Sequence, residues 1–197
     1  EDVAGRYAAA GAACLSVLTE RSRFRGETGF LARMAPAGLP LLRKDFIFDP
    51  LQVRATAATP AAALLLIVAL TPDAALLRRL REQAESLGMQ AVVEVCGKKD
   101  LVLARESGAR IIQVNARDLD TLRVDRQACL ELARRYPPEQ GEIWIAASGM
   151  DCREHLEDAA RAGFSAALVG TALMQDGQPG AALHRLLHGR EEGHHAA

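Results

Sequence analysis

The feature that most constrains this chain is a repeated phrase. A short apolar run, a loop and an amphipathic helical stretch recur roughly every 20–35 residues, the length of a β-α unit. The apolar runs lie at 13–18, 40–46, 62–70, 91–95, 110–115, 142–147 and 165–169. Helical stretches between them include 72–87, 98–107, 125–136, 152–162 and 180–187. Punctuation supports these bounds. Thr71 is placed to N-cap a helix opened by Pro72 and Asp73, and Gly88, Gly108 and Gly163 fall where helices should stop. The chain begins at Glu1, already inside what reads as a helix.

Strands this apolar, alternating with helices, belong in a parallel sheet covered by helices. Such a sheet either stays open and doubly wound or closes as a (β/α)₈ barrel. No G-x-G-x-x-G follows the first run and no long linker marks a second lobe, so the barrel is expected. The seven runs are one short of the eight a closed barrel needs, and the terminal GREEGHHAA cannot supply the last. The expectation is a single α/β domain over 1–190, a (β/α)₈ TIM barrel lacking its first strand, with a disordered tail at 191–197. The first and last strands present would then be unpaired edges.

Composition excludes several classes of function. The 49% hydrophobic and 25% charged content fits a globular chain rather than a disordered one. A formal net charge of -1 leaves no electrostatic footprint for nucleic acid or an acidic membrane. The longest apolar run, 61–70, is too short to span a bilayer. Cys14, Cys96, Cys129 and Cys152 show no C-x-x-C spacing, which argues against a zinc site or disulfide framework and for a reducing cytoplasm. His184 and His188 share a helical face at i, i+4 but lack a third ligand, so no metal is expected. His194 and His195 fall in the tail.

In a barrel of this kind the C-terminal strand ends face the active site. Read in order they carry Ser16, Lys44, Glu94, Asn115 with Arg117, Ser148 with Gly149, and Gly170 with Thr171. Lys44 and Glu94 lie inside the apolar runs LLRKDF and AVVEV. Burying either charge costs several kcal/mol, of the order expected for an ion transferred without compensation, unless it is paired or used chemically. An ion pair between them and a catalytic role both satisfy that demand. Arg43 and Asp45 have the opposite pleat direction and are expected to pair against the helix layer. Arg117 and Asp118 sit in a loop where a turn role and a substrate contact are both open. Cys96 reads as a small buried apolar residue, and the run RRLREQAE as a solvated helix face. The turns AASGM and LVGTALM, the second with a short helix at TALM, end the last two units, where barrels build a phosphate site from backbone N–H groups.

Taken in order, these segments resemble the indole-3-glycerol-phosphate synthase family of tryptophan biosynthesis. The resemblance runs through GAACLSVLTERSRFRGE, LLRKDFIFDPLQV, ALLLIVALT, LGMQAVVEV, IIQVNARDLDTLRVD, ASGM and AALVGTALM. It implies a lyase that closes the indole ring of 1-(2-carboxyphenylamino)-1-deoxyribulose 5-phosphate, with loss of carbon dioxide and water and with no cofactor. Lys44 matches the family's general acid, Glu94 its proton-transfer glutamate and Asn115 its positioning asparagine. Ser16, Phe24, Leu66, Arg117 and Ser148 would bind substrate, Phe24 and Leu66 around the aromatic ring. Gly149, Gly170 and Thr171 would hold the phosphate.

The implied partners are this small phosphorylated substrate, other tryptophan-pathway enzymes, or a segment supplying the missing strand. Three positions depart from the family pattern. Ala147 replaces the glutamate of Ser-Glu-Ser-Gly, Cys96 the histidine of Val-His, and Ala116 the second asparagine of Asn-Asn-Arg. Two other functions stay open: a phosphoribosyl-isomerase-like barrel, and a diverged barrel that binds phosphorylated ligands or a partner without turnover.

Overall fold

Each apolar run becomes a strand and each amphipathic stretch a helix in the computed structural model, which describes residues 2–118, 121–175 and 177–189. The expected tail at 191–197, with His194 and His195, lies outside the described residues. In chain order the elements are α1 (Asp2–Ala9), β1 (Leu15–Leu18), α2 (Gly29–Met34), β2 (Leu41–Ile47), α3 (Pro50–Ala57), β3 (Ala63–Ile67), α4 (Ala74–Ser86) and β4 (Gln90–Val95). They continue with α5 (Lys98–Glu106), β5 (Ile111–Asn115), α6 (Arg126–Arg135), β6 (Ile143–Ala147), α7 (Arg153–Arg161), β7 (Ala166–Leu168), α8 (Thr171–Met174) and α9 (Pro179–His188).

The seven strands form one parallel sheet in the order β1-β2-β3-β4-β5-β6-β7, so each pairs with its neighbours in sequence. Side chains alternate between two apolar layers. Leu64, Leu66, Val93, Val95, Ile112, Val114 and Trp144 face the helices and pack with Leu77, Leu80, Leu101 and Leu130. Leu42, Leu65, Ile67 and Val92 form the other layer, joined by Phe46, Ala63, Ile111, Ile145 and Leu168. That second cluster draws on every strand from β2 to β7. Residues so far apart along the sheet share one core only if the sheet curls on itself. The architecture is a (β/α) barrel with seven strands, and among the described residues no strand lies between β7 and β1.

The helix layer comes closer to closure than the sheet. Leu173, Ala182, Leu183 and Leu186 from α8 and α9 pack with Tyr7 of α1, and the Tyr7 hydroxyl donates to Met174 Sδ at 3.2 Å. Gly180 permits this approach, because a Cβ there would lie 3.1 Å from the Arg6 carbonyl oxygen.

Local chemistry fixes the boundaries and corrects two expectations. Helix α4 is capped by Asp73, whose carboxylate accepts from Ala75 N–H, and not by Thr71. The third strand stops at Ile67 instead of running to residue 70, and a 3-10 turn occupies Val68–Leu70. Thr71 is fully buried and closes that turn, with its N–H on the Ile67 and Val68 carbonyls and its hydroxyl on Ile67 O at 3.1 Å. Its side chain is therefore already committed. Helix α3 opens with a capping box in which Asp49 accepts from the helix N–H groups and Gln52 reaches back. The helix-stop glycines Gly88, Gly108 and Gly163 all adopt left-handed φ, at 81°, 80° and 102°.

Candidate active site

Strand β2 presents the lysine at an irregularity. Its register with β3 runs Leu42↔Ala63 and Arg43↔Leu64, then shifts to Ile47↔Leu66, so Lys44, Asp45 and Phe46 oppose Leu65 alone. Bulges of this kind re-aim side chains and are common beside active sites. Lys44 Nζ lies 3.7 Å from Glu94 Oε2, a carboxylate whose side chain is only 1% exposed. Two amides complete its surroundings. Gln113 Nε2 donates to Glu94 Oε2 at 2.5 Å, and Asn115 Nδ2 donates to Glu94 Oε1 at 3.1 Å. Asn115 Oδ1 in turn accepts from Ser148 Oγ at 2.9 Å and from Arg117 N–H at 3.0 Å. One continuous polar network thus joins β2, β4, β5 and the loop after β6, on the inner face and toward the C-terminal strand ends.

Pleat parity explains which expected residues reach this network. Glu94 pairs with Ile67 on one side and Gln113 on the other, so all three share the inner face. Leu66 points the opposite way, into the helix-facing core with no exposure. It cannot line a ring-binding surface, and this expectation is corrected. The inner residue beside Glu94 is Ile67. Ser16 pairs with Leu42, an inner residue one pleat below Lys44, so it lies deeper than the mouth. Leu18 is the residue that pairs with Lys44. Phe24 reaches the mouth indirectly, its ring 6.2 Å from that of Phe46, which shares the pleat of Lys44.

The flanking pair is structural, as the pleat predicted. Arg43 Nη2 meets Asp45 Oδ2 at 2.7 Å, and the guanidinium also donates to Thr56 Oγ1 and Thr19 Oγ1. Arg117 serves its own loop, donating from Nη1 to the Leu122 carbonyl at 3.0 Å and bridging to Val124, so its guanidinium is held in a turn. Cys96, expected to be buried, is an exposed residue, yet its thiol is pushed up to about 12, first by partial desolvation and then by Glu94, Asp100 and Asp118. No nucleophile is available there near neutral pH. His184 and His188 lie with ring centroids 4.6 Å apart and their planes tilted by 48°, and no group of three or more metal-ligating residues occurs among the described residues.

The last two strand ends lie side by side, because Ala147 pairs with Leu168. Ser148 and Gly149 leave β6 with φ of 67° and 73°. A Cβ on Gly149 would also meet Val124 Cγ1 at 2.9 Å, so both conformation and space require glycine. Gly170 precedes α8, and a Cβ added to it would meet nothing within 4 Å. Glycine at both turns lets backbone come close to a ligand, which an anion site built from backbone donors requires.

Two residues of the site escaped the strand-end reading, Gln113 and Phe46. Both lie inside strands on the pleat of a residue that was found, and that parity is the signal that locates them. Chemically, the network offers a cation next to a carboxylate whose two oxygens are held by neutral donors. It can deliver a proton from Lys44 and hold or pass one at Glu94.

The family model described as Indole-3-glycerol phosphate synthase matches residues 1–186. Relatives named indole-3-glycerol phosphate synthase include that of Chloroherpeton thalassium, 45% identical over 88% of this chain and 66% of its own length. The Parafrankia sp. protein is 43% identical over 90% of this chain and 65% of its own, and the Mycobacterium ulcerans protein 43% over 94% and 67%. The chain therefore spans about two thirds of the length of these relatives. Among solved structures, 3-hexulose-6-phosphate synthase superposes with a TM-score of 0.77 at 16% identity, covering 96% of this chain and 92% of that one. Orotidine 5'-phosphate decarboxylase from Pyrococcus horikoshii gives 0.70 at 12% identity, covering 96% and 93%. At such identity these two speak for the barrel fold alone. With the family model matching nearly end to end, the chain belongs to the indole-3-glycerol phosphate synthase family.

Proposed function

We propose that this chain carries the catalytic face of an indole-3-glycerol-phosphate synthase. The observation that carries the reading is Lys44 Nζ, 3.7 Å from the buried Glu94 carboxylate at the mouth of the inner strand face. On this reading the aryl carbon bearing the carboxylate attacks the ketone of 1-(2-carboxyphenylamino)-1-deoxyribulose 5-phosphate. Lys44 donates a proton to the ketone oxygen, and carbon dioxide departs as the ring regains aromaticity. The resulting hydroxyl then leaves as water while Glu94 handles the accompanying proton. Asn115, fixed by Ser148, orients substrate and carboxylate together. Gly149, Gly170 and Thr171 receive the phosphate, and Phe24 with Phe46 flank the aromatic ring.

A lysine ammonium stabilises an alkoxide far better in such a mouth than in bulk water. The lysine–carboxylate charge, the glycine turns at the last two strand ends and the apolar flank together support a substrate with a phosphate at one end and an aromatic ring at the other. The four cysteines, all free, support a reducing cytoplasm as the setting. No described helix is long and apolar enough to cross a membrane. A partner strand seated between β7 and β1 is part of the same proposal.

Lys44→Met in the full chain tests the assignment. Following indole-3-glycerol phosphate fluorescence, the expected loss is ~10²–10⁴-fold in kcat, the usual contribution of a general acid. An unchanged rate would remove Lys44 from the chemistry. Substrate binding by the unsubstituted protein without any turnover would instead favour the non-catalytic binding barrel.

A further inference from the structure

Gln113 sits at the centre of β5, between Ile112 and Val114, which both face the helices, so its own side chain points into the barrel. It is completely buried. Its Nε2 donates to Glu94 Oε2, while its Oε1 is the buried side-chain polar atom without a partner among the described residues. The two facts are linked. A carboxylate only accepts, so the amide must turn its N–H toward Glu94, and this leaves the carbonyl oxygen stranded. A leucine or methionine at this point of an apolar interior would strand nothing. A side chain that accepts an unmet hydrogen bond to supply one donor to one neighbour points to a task at that neighbour.

We propose that Gln113 is a positioning residue for Glu94. With Asn115 Nδ2 on Oε1 and Gln113 Nε2 on Oε2, the carboxylate is gripped at both oxygens. Neither rotation about its terminal bond nor withdrawal from Lys44 is open to it. Gln113 itself has no exposed surface and does not touch substrate, so its effect runs entirely through Glu94. This rests on the activity proposed above, and it adds to that site a residue on which the family resemblance is silent.

The test is Gln113→Met, which keeps the length of the side chain and removes the donor, with Gln113→Leu as a smaller substitute should methionine overfill the interior. Expected is a ~10- to 100-fold fall in kcat, the scale of an ångström-level misplacement, at unchanged KM and full substrate-binding stoichiometry. In a Glu94→Gln background the same change should cost nothing further, because the group it acts through is already gone. Undiminished kcat, additivity with Glu94→Gln, or a loss tracking the fraction of protein able to bind would each overturn the proposal. A crystal structure of Gln113→Met gives a reading independent of turnover, with Glu94 expected to leave the position it shares with Asn115. If the unsubstituted protein proves inactive, the functional reading falls, and the position of Glu94 still decides the role of Gln113.

Discussion

Cys96 shows how strongly the mouth of the barrel treats individual groups. It follows directly on the strand that carries Glu94, and partial desolvation of its sulfur together with Glu94, Asp100 and Asp118 pushes its thiol up to about 12. Against an ordinary cysteine near 8.5, the thiolate fraction at pH 8 is lower by roughly 10³-fold. Alkylation of Cys96 by iodoacetamide, followed by peptide mass spectrometry, should therefore be slow although the residue is exposed. Labelling at an ordinary rate would contradict this.

The same scale shows what the sequence made legible. Lys44, Glu94 and Asn115 stood out because a charge or amide inside an apolar run must have a partner. Gln113 obeys that rule within IIQVN and passed unnoticed because it is not at a strand end. Leu66 failed for a different reason. Its facing depends on pleat parity relative to Glu94, and that is set by inter-strand register, which no local pattern of apolar residues encodes.

At the scale of elements, the opening of β6 gathers the most consequential charges outside the mouth. Glu142 accepts from Arg105 Nε at 2.9 Å, from Trp144 Nε1 at 2.9 Å and from the Glu139 N–H at 2.9 Å. Burial alone would raise its carboxyl, but these donors outweigh burial and hold it below the usual carboxylate range. A carboxyl lowered on folding contributes stability that is fully present above its unfolded value and lost as pH falls through its folded one. Glu142→Gln should therefore destabilise the protein by about 1.5–3 kcal/mol near neutral pH, the worth of a hydrogen bond to a charged group. In urea titrations the difference should shrink as pH falls from about 4.5 downward, where native Glu142 also gains its proton. An equal difference at pH 7 and at acid pH would refute this.

Helices and strands were mostly legible from periodicity. Contacts between units were not. The run RRLREQAE reads as a solvated face, yet Arg81 within it donates to the Ser107 carbonyl at 3.0 Å and is only 12% exposed. A local pattern cannot report a bond to the next helix's C-terminus.

For the whole molecule, the seven expected parallel strands are present among the described residues, while the helices α1 and α9 meet across the side where the sheet does not. Strands β1 and β7 are each paired on one side only among the described residues. Unpaired parallel edges invite association. Sedimentation velocity on the 197-residue chain should show concentration-dependent self-association, reduced by Ser16→Lys, which places an inward charge on the β1 edge. A chain that stays monomeric at all concentrations would show that both edges are protected.

The sequential strand order has a consequence for how such a molecule comes into being. Every strand finds its partner one β-α unit earlier or later, so no pairing in the sheet has to wait for a distant part of the chain. Each pairing then closes a loop of only one β-α unit, which keeps its closure entropy below that of a pairing between distant parts of the chain. During synthesis each unit can dock on the one before it as it leaves the ribosome. The polar network is the exception, because Lys44 must await Glu94, Gln113 and Asn115. The scaffold can thus grow unit by unit, whereas the site forms only after its fifth strand is in place.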